Sequence, residues 1–353
     1  MQYQIQHNTY TLLQLKDYCV FILSKNDLPE WEREIWLFIH LFIDDTKDSF
    51  TNKTSGSTGS AKEITIHKKN AIASANKTNS FFQLQKNNSI HLCMHAKYIG
   101  AKMMIVRALV GEMRLSYSEP KMDALCQIKD DIDFCACVPL QIITLLELSK
   151  EGNENIKNLI IGGGAVYEKI ISKLLNHSTQ YYQTFGMTET ISHIALLNIS
   201  KAEKAYTILP NTSISKNDKE CLVIDAPDIG VKQLTTNDIV DIIYPNQFLW
   251  KGRIDNIINT GGVKINPEQV EAKLASYIHF PFFISSIPDE KLGNKIILII
   301  ESTSEINKEN LLTMIKNKVA KYEVPKDIFV LNTFIYTETN KIKRKETLAL
   351  LHS

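Results

Sequence analysis

Apolar positions along this chain keep two different periods, and the switch between them repeats. After Pro29 and Glu30 the run WEREIWLFIHLFI has apolar residues at helical spacing, with proline and acids where a helix begins. It predicts an amphipathic helix packed on a core. Short β-like runs then alternate with helical ones. EITIH (Glu63 to His67) precedes a polar-faced helix from about Asn70 to Phe82, and SIHLCM (Ser89 to Met94) precedes the apolar AKMMIVRALV. DFCACV (Asp133 to Val138) precedes a helix opened by Pro139, and NLIIGGG (Asn158 to Gly164) precedes one from about Val166 to Leu175. This alternation predicts an α/β fold of sheets with parallel strands, covered by helices. From Tyr206 to Trp250 the text is β-like and turn-rich, which fits a small distorted β-barrel. Towards the C-terminus IILIIE (Ile296 to Glu301) reads as a buried strand. Leu311, Leu312, Ile315 and Val319 share one helical face of a small α+β domain.

Length and composition narrow the class. The 353 residues suggest two domains, and 44% hydrophobic with 22% charged residues is the balance of a globular protein. A net charge of +1 gives no electrostatic case for nucleic acid or an anionic membrane as partner. Met1 to Tyr10 is polar, unlike a secretory leader, and no apolar run reaches the ~18–20 residues of a membrane span. Six scattered cysteines read as buried free thiols in a reducing cytoplasm, although Cys135 and Cys137 share a strand face. A homodimer is compatible with these totals.

Against this background TSGSTGSAK, Thr54 to Lys62, stands out. Its two glycines and five hydroxyl residues disfavour helix and strand. Such a run is either a flexible linker or a loop whose N–H groups and hydroxyls converge on a polyphosphate with Lys62 as cation. The strand-like EITIH directly after it favours the loop. Ala61 and Glu63 flank the lysine, so the nucleoside-triphosphatase pattern is absent. GGGA (Gly162 to Ala165) ends a strand, as a tight turn or as a place of close approach by a ligand. In YYQTFGMTET, Phe185 beside Gly186 can stack on a base, Thr188 offers a hydroxyl to phosphate, and Glu189 is a hard oxygen ligand for Mg²⁺. Asp238 in TTNDIV can accept from two vicinal hydroxyls or be a solvated turn residue.

In this order the motifs resemble the adenylate-forming superfamily of acyl-CoA synthetases, adenylation domains and luciferases. The block FLWKGRIDNIINTGGVKINPEQVE, Phe248 to Glu271, carries the resemblance furthest through Gly252, Arg253 and Asp255. What the resemblance implies is a large N-terminal adenylation domain, 1–253, and a small mobile C-terminal lid, 254–353, hinged at Asp255. Thr54, Ser55, Gly56, Ser57, Thr58 and Gly59 would hold the phosphates of ATP. Gly163, Gly164 and Ala165 would meet the adenine with Phe185 and Gly186, and Asp238 with Arg253 the ribose. Thr188, Glu189 (with Mg²⁺), Lys62 and Lys341 would be catalytic. The chain departs from the pattern at three points: Phe185 replaces tyrosine, Asn237 replaces glycine, and Asn340 stands before Lys341 where glycine is usual.

The implied reaction joins a small carboxylic acid to ATP as an acyl-adenylate, then passes the acyl group to coenzyme A. The short length, GMTETISHIALL and TNDIVDII are most similar to the o-succinylbenzoate–CoA ligases of menaquinone biosynthesis. Alternatives are an acyl-CoA synthetase for another aryl or short acid, or a non-catalytic nucleotide-binding homologue. In YIGAKMMIVRAL, Lys97 stands near the position where many relatives carry histidine. A second substrate carboxylate needs a donor. Lys102 and Arg107 lie about 140° apart on a helix, so at most one faces it. Lys102, beside the Tyr98-Ile99-Gly100 turn, is the expected one, with Ser192 and His193 as further substrate contacts.

Overall fold

The alternation of periods becomes an alternation of elements. In chain order they are β1 (Tyr3–Ile5), β2 (Asn8–Tyr10), α1 (Leu12–Leu23), α2 (Glu30–Ile43), β3 (Ser49–Lys53), β4 (Glu63–His67), α3 (Lys68–Phe81), β5 (Ser89–Leu92), α4 (Ile99–Val110), β6 (Arg114–Tyr117), β7 (Ile132–Cys137), α5 (Pro139–Leu148), β8 (Ile156–Ile161), α6 (Glu168–Leu174), β9 (Gln180–Gly186), β10 (His193–Asn198) and β11 (Tyr206–Ile208). There follow β12 (Ser213–Lys216), β13 (Cys221–Ala226), β14 (Val231–Tyr244), β15 (Gln247–Arg253), β16 (Ile258–Thr260), β17 (Val263–Ile265), α7 (Pro267–Leu274), β18 (Phe282–Asp289), β19 (Gly293–Glu301), α8 (Lys308–Lys316), β20 (Asp327–Leu331) and α9 (Arg344–Ala349). The computed structural model describes residues 2–53, 63–149, 152–164, 166, 168–175, 177–337 and 341–352. Two compact units result: Met1–Val166, Lys173–Ser213 and Ile224–Leu234 in one, Tyr167–Ser172, Ile214–Val223 and Thr235–Ser353 in the other.

In the first unit the strand order is β11-β10-β9-β8-β7-β5-β6-β1-β2. From β1 through β6, β5, β7 and β8 to β9 all pairs are parallel, and β10 and β11 add antiparallel strands beside β9. β5 is buried at every position and β7 at all but Asp133, as parallel strands covered on both faces require. α4 buries Ala101 and everything from Met103 to Leu109, so it is a core helix rather than an amphipathic one. β3 and β4 pair antiparallel with Lys53 opposite Glu63, which brings together the two ends of the 54–62 stretch.

In the other unit β18, β19 and β20 form a sheet, its two pairs antiparallel and parallel respectively. One face packs on Val270, Leu274 and Ile315, the other on Phe334. Strands β12-β13-β14-β15 succeed one another in an open order, so among the described residues the expected barrel is not closed. The helix predicted through Val319 stops at Lys316, with Asn317 as its cap. β15 falls in the second compact unit with the C-terminal elements.

Local chemistry fixes the entry segment. Thr11 and Gln14 cap α1 reciprocally, and Glu30 and Glu32 lie in the first turn of α2. Buried Trp36 donates through Nε1 to the Tyr117 hydroxyl at 3.1 Å, which donates to Glu32 at 2.8 Å. Tyr117→Phe strands the indole N–H. Urea unfolding should show a loss of about 1–3 kcal/mol with an unchanged slope; an unchanged midpoint would mean the relay contributes nothing.

Candidate active site

The bend between β9 and β10 organises the candidate site. Gly186 ends β9 so close to the returning chain that a Cβ there would lie 2.4 Å from the Ser192 carbonyl oxygen and 2.5 Å from the His193 Cα. Only glycine permits that approach. Between them Thr188–Thr190 makes one 3-10 turn, pinned by the fully buried Thr190. Its hydroxyl accepts from the Met187 N–H at 3.0 Å and lies 2.7 Å from the Ser192 carbonyl, to which it donates. Ile191 is forced to φ 65°, a left-handed conformation that strains a β-branched residue. The turn holds Glu189 exposed and Thr188 half-exposed. A carboxylate and a hydroxyl offered together to solvent are a donor set that fits Mg²⁺ and phosphate.

The glycine turn follows β8, the parallel neighbour of β9. Gly162 takes the Cys137 carbonyl at 3.0 Å, Gly163 adopts φ 83°, and the Thr184 hydroxyl donates to the Ile161 carbonyl at 3.2 Å. The carboxyl ends of β8 and β9 therefore present Gly163, Gly164, Phe185 and Gly186 at one edge of the sheet, where open α/β sheets bind ligands. The Phe185 ring stands edge-on to Tyr206, centroids 5.6 Å apart. Thr54, Ser55, Gly56, Ser57, Thr58, Gly59, Lys62 and Ala165 lie outside the described residues.

Beneath the bend lies a buried polar chain. Arg107 on α4 is 1% exposed, and its Nη2 donates to Ser192 Oγ at 2.9 Å. Ser192 Oγ is 3.3 Å from His193 Nδ1, and His193 Nε2 is 3.2 Å from Thr78 Oγ1. Burial, and then the Arg107 charge, hold His193 well below the usual histidine range, so it is neutral. The structure thus brings Ser192 and His193 to Arg107. Lys102 faces away: its ammonium donates to the Thr51 carbonyl and Asn52 Oδ1 and lies over the Phe38 and Phe50 rings. Lys97 is exposed, its ammonium 5.1 Å from the Tyr98 ring centroid.

A second group belongs to the C-terminal unit. Asp238 and Arg253 face each other across β14 and β15. Asp238 is buried and accepts from Trp250 Nε1 at 2.9 Å, with the Arg253 guanidinium 4.0 Å away. Asp255 takes Arg253 at 3.3 Å and the Asn237 amide at 2.8 Å. The asparagine that departs from the family pattern therefore holds the expected hinge residue, Asp255, which also takes Arg253. The Lys341 N–H donates to Thr337 Oγ1, and Tyr336 and Ile342 on either side form a bridge. Burial, and after it the Arg253 charge, lowers the pKa of Lys341. Three residues on, Arg344 at the start of α9 forks onto Glu271 of α7 with bonds of 2.8 and 2.7 Å.

Thr78, Thr190, Trp250 and the Glu271–Arg344 pair were not foreseen from the sequence. They hold the candidate site residues in place rather than match the family's motifs. The one available signal was Arg107 itself, a cation in an otherwise apolar helical run.

The family model for AMP-binding enzymes matches residues 50–226, half of the chain. The chain belongs to the AMP-binding enzyme family. An acyl-CoA synthetase (AMP-forming)/AMP-acid ligase II-like protein from Dyadobacter fermentans is similar at 31% identity, over 95% of this chain and 98% of its own, with a TM-score of 0.63. Together these make the chain an enzyme of the AMP-forming acid–CoA ligase type. A 2-succinylbenzoate–CoA ligase from Staphylococcus epidermidis is 22% identical over 83% of this chain and 68% of its own. The fold is shared with o-succinylbenzoate CoA synthetase from Bacillus subtilis in complex with the acyl-adenylate intermediate, at 19% identity over 84% of this chain and 68% of that one, TM-score 0.74. No helix among the described residues is long and apolar enough to cross a membrane.

Gly186→Ala tests the bend. Its methyl group meets backbone on two sides, and overpacking of this kind costs about 1–3 kcal/mol or more. The variant should lose that much stability and most of its ATP affinity, by thermal unfolding and nucleotide titration. Wild-type values in both would show that the bend has slack.

Proposed function

We propose that the enzyme activates the succinyl carboxylate of o-succinylbenzoate with ATP and transfers the acyl group to coenzyme A. The observation that carries the first half is the strained Thr188–Glu189 turn, held at the carboxyl edge of the parallel strands beside the glycine turn. The acid is supported by the names of relatives such as the Staphylococcus epidermidis and Bacillus cereus 2-succinylbenzoate–CoA ligases.

In this reading two anions have to meet, the substrate carboxylate and the α-phosphate. Thr188 donates to phosphate, Glu189 holds Mg²⁺, Lys62 with the loop from Thr54 to Gly59 takes the remaining phosphates, and Lys341 offsets charge at the reacting oxygen. Mg²⁺, when bound, neutralises charge on the phosphates and orients them. Gly163, Gly164 and Ala165 admit the adenine, which stacks on Phe185 over Gly186. Asp238 accepts from a ribose hydroxyl and Arg253 donates to it. Lys97, Ser192 and His193 belong to the acid side. The mechanical division is 1–253 against 254–353, with Asp255 as the hinge that turns the small domain between adenylation and thioester formation. The supply of ATP and coenzyme A places the reaction in the cytoplasm.

Pyrophosphate release across a panel of aryl and short-chain acids tests the substrate, and o-succinylbenzoate should give the highest kcat/KM. A different acid ahead of it would replace the substrate and keep the reaction; release with none would remove both. Lys341→Ala should lose on the order of 10²-fold or more in adenylation and still convert preformed acyl-adenylate to thioester. Equal losses would take Lys341 out of the first half-reaction.

The same lysine has a pH signature. Its lowered pKa means the cation is lost at lower pH than from an ordinary lysine. Adenylation should therefore decline on the alkaline side at a lower pH than an ordinary lysine would impose, while thioester formation from preformed adenylate shows no such limb. Parallel profiles for both halves would contradict the assignment.

A further inference from the structure

Arg107 is the most anomalous charge in the first unit. It is 1% exposed, and its recorded acceptors are a serine hydroxyl and the Met104 sulfur at 3.6 Å. Its Nε–H has no partner, and no carboxylate forms an ion pair with it, among the described residues. Burial lowers its pKa to about 9, which still leaves it charged at neutral pH. An unpaired buried cation opposes folding, and a structural role is served as well by an apolar side chain of similar volume.

The neighbours point to where that charge is used. Thr78 Oγ1 lies 3.4 Å from the Ser74 carbonyl, which can only accept, so the threonine donates there and accepts from His193 Nε2–H. Neutral His193 then presents a lone pair on Nδ1, and the Ser192 hydroxyl donates to it while accepting from Arg107. Every proton in the chain is placed, and the guanidinium polarises the one hydroxyl that reaches the surface. Ser192 is half-exposed, two residues beyond the turn that carries Thr188 and Glu189, while Arg107 and His193 are buried behind it.

We propose that Arg107 is a specificity-determining residue acting through Ser192: it makes this hydroxyl the anchor for a second anionic group on the acid substrate. The inference rests on the proposed acid–CoA ligase reading and deepens it. The incoming ring carboxylate takes the Ser192 hydroxyl proton as a hydrogen bond when the hydroxyl rotates away from His193. The guanidinium behind it supplies the compensating charge. An acid without that group finds the same pocket and leaves the cation unpaired. Selection comes from the charge as well as from shape.

The test compares o-succinylbenzoate with benzoylpropionate, the same acid without the ring carboxylate, in wild type, Arg107→Met and Arg107→Lys. Arg107→Met should lower kcat/KM for o-succinylbenzoate at least about 30-fold and change that for benzoylpropionate less than about threefold, with the KM for ATP unchanged. Its Tm should hold or rise, because an unpaired buried charge has been removed. Arg107→Lys, which keeps the charge, should recover part of the preference. Equal losses on both acids, or a fall in Tm with the preference intact, would make Arg107 structural and overturn the proposal. If Arg107→Met does not fold, the preference ratio in Arg107→Lys and Arg107→Gln decides: retained in both, the proposal fails; kept in the first and lost in the second, it stands. A wild type inactive on o-succinylbenzoate sinks the substrate reading and this proposal together, whereas an active wild type with a preference that Arg107→Met retains sinks this proposal alone.

Discussion

The approach of the Gly186 backbone to the Ser192–His193 peptide is the constraint on which the rest of the site depends. Because nothing separates the two segments, the five residues between them, Met187 to Ile191, must close in a tight turn, and Ile191 takes up the strain at φ 65°. Strain of this kind persists only where the surroundings overdetermine it. Here Thr190 does so, with one hydroxyl serving both arms of the turn. The result is that Glu189 and Ser192 are held on the same short segment, one facing solvent and the other backed by a buried cation.

The two units solve the same problem with different means. In the first, Arg107 is buried without a carboxylate partner among the described residues and meets the Ser192 hydroxyl instead. In the second, charges are paired: Arg253 with Asp255 and near Asp238, Arg344 with Glu271. Lys341 has no ion pair among the described residues. It is close enough to Arg253 to feel it, its N–H is held by Thr337 Oγ1, and Arg344 three residues on is forked onto Glu271.

Much of this was legible in the chain. The alternation of periods located the elements of the parallel layer to within a few residues, because buried parallel strands and core helices are both written in uninterrupted apolar runs. α3 begins at Lys68 rather than near Asn70, and α6 at Glu168, the ordinary uncertainty of helix ends. The open order of β12 to β15 was not legible, because turn-rich β text fixes strands and leaves open which edges meet. The motif residues stood in family order. The choice between Lys102 and Arg107 was not legible: helical spacing says that they diverge, and says nothing of what each meets. The Phe38 and Phe50 rings with the Thr51 carbonyl took the lysine, and the Ser192 bend took the arginine. Asn237 looked like a loosened motif until its amide was seen to hold Asp255.

The central claim is that this chain makes a carboxylic acid into an adenylate before any thiol is involved. Mass spectrometry of the enzyme incubated with o-succinylbenzoate, ATP and Mg²⁺, with coenzyme A withheld, tests it most directly. The account predicts a bound species of the mass of the acyl-adenylate, which disappears with formation of the thioester when coenzyme A is added. Conversion of ATP to ADP, or a thioester formed with no adenylate detectable at any time, would contradict it.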